Sequence, residues 1–209
     1  MMRLWLVAMA AAALAAEPPK VFYSKSFPGS SPAYAAIRVD RNGQADYRES
    51  PEEDSALKFQ LTPKETEEIF SLAEKLGRFA RPLESGLKVA NTGAKTFRYQ
   101  SETETHEVQF NYSLDPDARL LWDFFERVTE TERHLAKLER AARYDRLGVN
   151  QALLELEVSR DRNRLVAAQQ FLKVLDRIAR NESLLHMARA RAASLAESIR
   201  SGAAGNPQP

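Results

Sequence analysis

The apolar residues of this chain change period at Asp115, and that change limits the fold more than any motif does. Up to residue 114 they alternate in twos, as half-buried strands do; from Asp115 they recur at three and four, as amphipathic helices do. Strands first and helices second make an α+β protein: a small antiparallel sheet with one covering helix, followed by a helical hairpin or bundle. The chain divides accordingly into a sheet domain at 17–114, a helical region at 115–200 and a disordered tail at 201–209.

Residues 1–16 stand apart. Arg3 precedes an apolar run from Leu4 to Ala16, shorter than the ~20 residues that span a bilayer, and Ala13-Leu14-Ala15 fits small-residue cleavage near Ala15 or Ala16. This reads as a secretory signal peptide. The expectation is a periplasmic or secreted protein with no transmembrane anchor after cleavage. The chain has no cysteine, which excludes disulfides, thiol catalysis, thiolate metal sites and a lipidated cleavage residue. Its 30 basic and 29 acidic residues leave a charge of +1, cancelled when Arg3 departs with the leader, so nothing favours a nucleic-acid partner.

Within the first half, Ile37 and Val39 face Ala45 and Tyr47 only if the loop is Arg41-Asn42-Gly43, with Gly43 left-handed. LTPKETEEIFSLAEKLGRF is a helix, with Thr62 as N-cap, Pro63 at the first position, Glu65 closing a capping box and Gly77 stopping it. Ile69, Leu72 and Leu76 form its apolar stripe, widened by Phe70 and Ala73. A second hairpin is expected to pair Tyr99 with Val108 and Phe97 with Phe110 around a loop at 102–105.

In the second half, Asp115-Pro116 starts a helix running towards Gly148, with Leu121, Phe124, Val128, Leu135, Leu138 and Ala142 on one stripe. Asn150 is expected to cap the next helix, carrying Leu153, Leu154, Leu156 and Val158 to about residue 163. A kink or short connection follows between 163 and 168, then Leu165, Leu172, Leu175 and Ile178. The last helix is expected from Asn181 or Glu182, with Leu185, Ala188, Ala192, Leu195 and Ile199 in heptad spacing, which allows a homodimer.

FPGSSPAYAAIRVDRNGQADY resembles an uncharacterised family of bacterial exported domains with the pattern C-F-G-x-C-P-x-Y, a strand, then D-G-x-x-x-Y. Gly29, Pro32, Tyr34, Gly43 and Tyr47 match, Asn42 replaces the aspartate, and Phe27 and Ser31 occupy the cysteine positions. The likeness spans roughly residues 22–128, through LTPKETEEIFSLAEKLGRF, AKTFRYQ and LDPDARLLWDFFERV. It implies an exported α+β domain and brings no activity with it. With the cysteine pair absent, Phe27 is expected to pack into the core, and Pro32 to stiffen the approach to Tyr34.

Chemistry-bearing patterns are sparse. His106, His134 and His186 lie on a hairpin and two helices, and no G-x-S-x-G elbow surrounds a serine. THEVQF lacks the second histidine of a zinc helix, and NTGAKT departs from a phosphate loop because Ala94 separates Gly93 from Lys95. Glu52-Glu53-Asp54 matches no calcium loop. Arg143, Arg146, Arg160, Arg162, Arg164, Arg189 and Arg191 suit an anionic partner, but interleaved acids suit ion pairs better. No catalytic residue, metal ligand or cofactor is assigned. The expectation is an exported non-enzymatic protein that binds a protein or another cell-envelope component. A hydrolase with a dispersed site and a helical dimerisation element are the alternatives. A closed pocket holding His106 or His134 beside a carboxylate would favour the hydrolase.

Overall fold

The computed structural model describes residues 17–53 and 55–202. The leader, Asp54 of the acidic loop and the tail beyond Gly202 lie outside them. The strands are β1 (Lys20–Ser26), β2 (Tyr34–Asp40), β3 (Gln44–Arg48), β4 (Leu57–Gln60), β5 (Ala94–Gln100) and β6 (Thr105–Phe110). They form one antiparallel sheet in the order β4-β3-β2-β1-β5-β6. The helices are α1 (Pro63–Lys75), α2 (Pro116–Tyr144), α3 (Gly148–Asp161), α4 (Leu172–Arg180) and α5 (His186–Ser201). Among the described residues no helix is long and apolar enough to cross a membrane.

The period-two pattern becomes one packed face. Tyr47, Ile37, Tyr23 and Phe97 form a row across four strands, and all are buried. Two helices cover this face: α1 through Ile69, Phe70 and Ala73, and the first half of α2 through Leu121, Phe124, Phe125 and Val128. The second half of α2 belongs to another core, where Leu138 and Ala141 meet α3, α4 and α5. Asp115 therefore separates kinds of element but not cores, because α2 reaches through both.

The β2–β3 hairpin has the expected register, Val39 opposite Ala45 and Ile37 opposite Tyr47, with Gly43 at φ +80°. A Cβ on Gly43 would lie 2.6 Å from Thr66 Oγ1 and 3.1 Å from the Leu61 carbonyl oxygen. Gly43→Ala should therefore cost about 1–3 kcal/mol, through strain and a clash at the start of α1, read as a lowered urea midpoint at unchanged slope. α1 carries the expected capping box, Thr62 with Glu65.

Several local expectations are corrected. The β5–β6 loop is 101–104, so Tyr99 faces His106, and Phe97 faces Val108. The reason is Ser101, whose amide donates to the Glu104 carbonyl while its Oγ accepts from the Glu104 amide. A slip of two residues leaves every side chain on its face, and the Phe97 and Phe110 rings still meet at 5.1 Å. α3 begins before Asn150, because the Asp145 carboxylate accepts a hydrogen bond from the Gly148 amide (2.9 Å). Val158 is exposed rather than on the buried stripe. α5 begins at His186: the Asn181 side chain accepts from the amide and hydroxyl of Ser183 and closes a turn that buries Leu184, leaving Leu185 exposed. Ala188, Ala192 and Leu195 are buried within the chain's own bundle.

Phe27 is not in the core. β1 ends at Ser26, beyond the cover of the helices, and Phe27 is half-buried against the backbone of Gly93 and Gly29. The loop 27–33 is held by hydrogen bonds instead. The Phe27 amide donates to the Ala33 carbonyl (2.8 Å), Ser30 Oγ donates to the carbonyl of Phe27 or Pro32, and Arg133 of α2 donates to the Ser31 carbonyl (2.7 Å).

Candidate functional site

The apolar stripe of α2 is interrupted between Val128 and Leu135, and this stretch, Thr129–His134, is a polar seam between the two cores. Thr129, Thr131 and Glu132 are nevertheless buried, so each needs a partner. The Thr129 and Thr131 hydroxyls donate to α2 carbonyls one turn back. The segment joining α3 to α4 docks here as well: the Val166 amide donates to Thr131 Oγ1, and Gln170 Nε2 to Glu132 (2.8 Å).

Beside the seam lies a polar cleft of about 500 Å³ bounded by the 27–33 loop, α2 and α3. Lys25 lines it, directly opposite Lys95 on the packed face of the sheet. Like charges in register repel, and Glu126 from α2 offsets them. It pairs with Lys25 at 3.0 Å and accepts hydrogen bonds from Tyr23 (2.7 Å) and Trp122 (3.0 Å). Burial alone would raise the Glu126 carboxyl, but these donors hold it below the usual carboxylate range. Lys95 is fully buried, with Nζ donating to the Asn111 carbonyl (2.8 Å) and lying 4.2 Å from the centre of the Trp122 ring. Burial, then Lys25, push it down to about 8.

A second, more apolar cleft, lined by Leu120 and Trp122, adjoins the first, and the two share Glu126 and Arg164. Together they line a groove along one face of α2. Arg119, Asp123, Glu126, Glu130, Arg133 and Lys137 follow one another at three and four residues, spanning roughly 27 Å of helix.

His134 lines the same groove beside carboxylates: Nε2 is 2.8 Å from Ser159 Oγ and 3.9 Å from Glu130. The cleft is open to solvent, and the proton count opposes a nucleophilic serine. Ser159 Oγ donates to Glu130 (3.0 Å), whose other oxygen accepts from Arg164 (2.9 Å). An ionised carboxylate has no proton to give, so His134 Nε2 donates to Ser159 and is not its base. Ser159 also lies in the last turn of α3, where its amide is committed to the helix and the dipole disfavours an oxyanion. Burial holds His134 below the usual histidine range, against the pull of Glu130 and Glu155.

The other flagged residues lie elsewhere. His106 is on β6 with Nδ1 3.9 Å from Glu104, and His186 is exposed at the start of α5. Arg143, Arg160, Arg164 and Arg191 pair with acids, Arg189 donates to the Ala179 carbonyl, and Arg146 and Arg162 are exposed. Glu53 accepts from the Glu49 amide. Among the described residues no group of three or more acids and histidines is placed to hold a metal ion.

No family model, curated protein or solved structure matches this chain.

Sequence reading missed Lys25, Lys95, Glu126, Glu130 and Arg133. Two signals were present. Lys95, Phe97 and Tyr99 share the parity of the packed face, and the gap TETERH in the α2 stripe marks a polar seam.

Proposed function

We propose that this chain is an exported, non-enzymatic protein that holds a segment of a cell-envelope macromolecule along the α2 groove. The observation that carries the reading is the groove itself, built where a hairpin loop, α2 and the α3–α4 region converge, apolar at Leu120 and Trp122 and charged at Arg133 and Lys137. A concave surface with convergent polar groups is the usual form of a binding site. Its length suits an extended chain of about eight residues at ~3.3 Å each. The signal-like leader and the likeness of residues 22–128 to exported domains support the envelope location.

His134 beside Glu130 favours the hydrolase alternative by position, but the direction of the Ser159 proton weighs against it. The test is a photo-cross-linking residue at Leu120 or Lys137, with Lys173 on α4 as the outside control. Envelope material should be captured at the two groove positions and not at the control. Equal labelling at all three, or none in the groove, contradicts the proposal.

A further inference from the structure

We infer that the charged end of the groove takes an oxyanion, a carboxylate or phosphate group of the bound ligand, and that Arg133 is the residue that grips it. This rests on the reading of the groove as a binding site. Four cations line the polar cleft, and three are neutralised. Lys25 is paired with Glu126 at 3.0 Å, Lys137 with Glu155 at 2.5 Å, and Arg164 with Glu130 at 2.9 Å and Asp123 at 2.8 Å. Arg133 differs. Its partners among the described residues are neutral, the Ser31 carbonyl at 2.7 Å and the Ser31 hydroxyl at 3.3 Å.

A guanidinium has five N–H donors in a planar fork suited to two oxygens of one anion. Arg133 uses one on each terminal nitrogen for Ser31, so most of its donors remain for a ligand. Its neighbour one turn on, Lys137, is paired with Glu155 but keeps donor capacity of the same sign on this helix face, within reach of an anion held by Arg133. With Asp123 counted, cations and carboxylates balance, but Arg164 holds two of the acids, so Arg133 at the 27–33 loop is the lining cation with no carboxylate within 4 Å among the described residues. Ser30 and Ser31 of that loop line the same cleft, and the Ser31 hydroxyl lies beside the guanidinium.

Two probes test the assignment by calorimetry on the full chain at low salt: inorganic phosphate, and an N-acetylated dialanine with a free carboxylate, the latter against its neutral amide. At least one anion should bind, and the amide should bind more weakly than the acid. Arg133→Met should weaken anion binding about tenfold or more. Lys137→Met, which does not touch the loop, should weaken it several-fold and guards against a loop collapse in the first variant. Arg143→Met, on the same helix outside the groove, should bind as the parent does. Indifference to both anions, equal binding of amide and acid, or undiminished binding by Arg133→Met, whatever Lys137→Met does, overturns the inference. Groove labelling by envelope material that persists alongside such a result would leave the binding groove standing with a neutral ligand.

Discussion

Glu126→Ala should destabilise the fold by about 3 kcal/mol at pH 7, the low end for breaking a buried ion pair because both partners keep some exposure. One carboxylate serves four groups. It accepts from Tyr23, Trp122 and Lys25, and its charge offsets Lys95 across the strand pair. Alanine leaves a phenol and an indole without their partner and two lysines in register with no counter-charge. The lysine repulsion is the part that pH can remove. Lys95 has been pushed down to about 8 and falls further without Glu126, so raising the pH from 7 to 9.5 neutralises it. The deficit of the alanine variant should shrink over that range, as read by urea unfolding at the two pH values. A constant deficit would mean that the lost hydrogen bonds, not the lysine charges, dominate.

Glu132→Gln should act in the opposite direction. Glu132 sits in the polar seam, 3 % exposed, with Gln170 as its hydrogen-bond donor. Burial pushes its carboxyl from 4.5 up to about 7. Below pH 4.5 the group is protonated whether the chain is folded or not, and it adds no pH dependence. Between 4.5 and 7 the folded state holds a proton that the unfolded state has released, so stability falls as pH rises. Above 7 the full penalty is present, about 3 kcal/mol from the size of the shift. Glutamine keeps an acceptor for Gln170 and has no charge to desolvate. The variant should match the parent near pH 4 and exceed it by about 3 kcal/mol at pH 8, visible as a melting-temperature gap that opens with pH. A gap of the same size at both pH values would show that packing rather than ionisation separates them.

Glu132 lies in the gap of the α2 stripe, while Glu126 lies within the stripe itself, between Phe125 and Arg127. Leu121, Phe124 and Val128 announce a buried face because burial of apolar side chains is a local, periodic demand. Glu126, Glu130 and Arg133 look like solvated helix charges, since their partners lie far along the chain: Lys25, Ser159 with Arg164, and Ser31. The same holds for the arginines. Arg164 and Arg191 are tied to distant acids, whereas Arg133, unremarkable in the sequence, meets only the neutral Ser31 among the described residues. Phe27 fails for a related reason. Alternation extends the packed face to it, but the strand ends one residue earlier and the helices do not reach that far.

Local sequence was enough for the α+β class, the order of strands and helices, the parity of β2, β3, β5 and β6, the Arg41-Asn42-Gly43 turn and the capping box of α1. All of these follow from neighbours a few residues apart, where period, φ preference and side-chain-to-backbone hydrogen bonds act. Long-range packing set the rest: α2 joins two cores, Lys25 and Lys95 face each other beside Glu126, and clefts follow α2 from Leu120 to Lys137. Those outcomes depend on which strands become neighbours and on the angle at which helices cross them. One carboxylate or guanidinium in the sequence has many possible partners, and long-range packing selects among them.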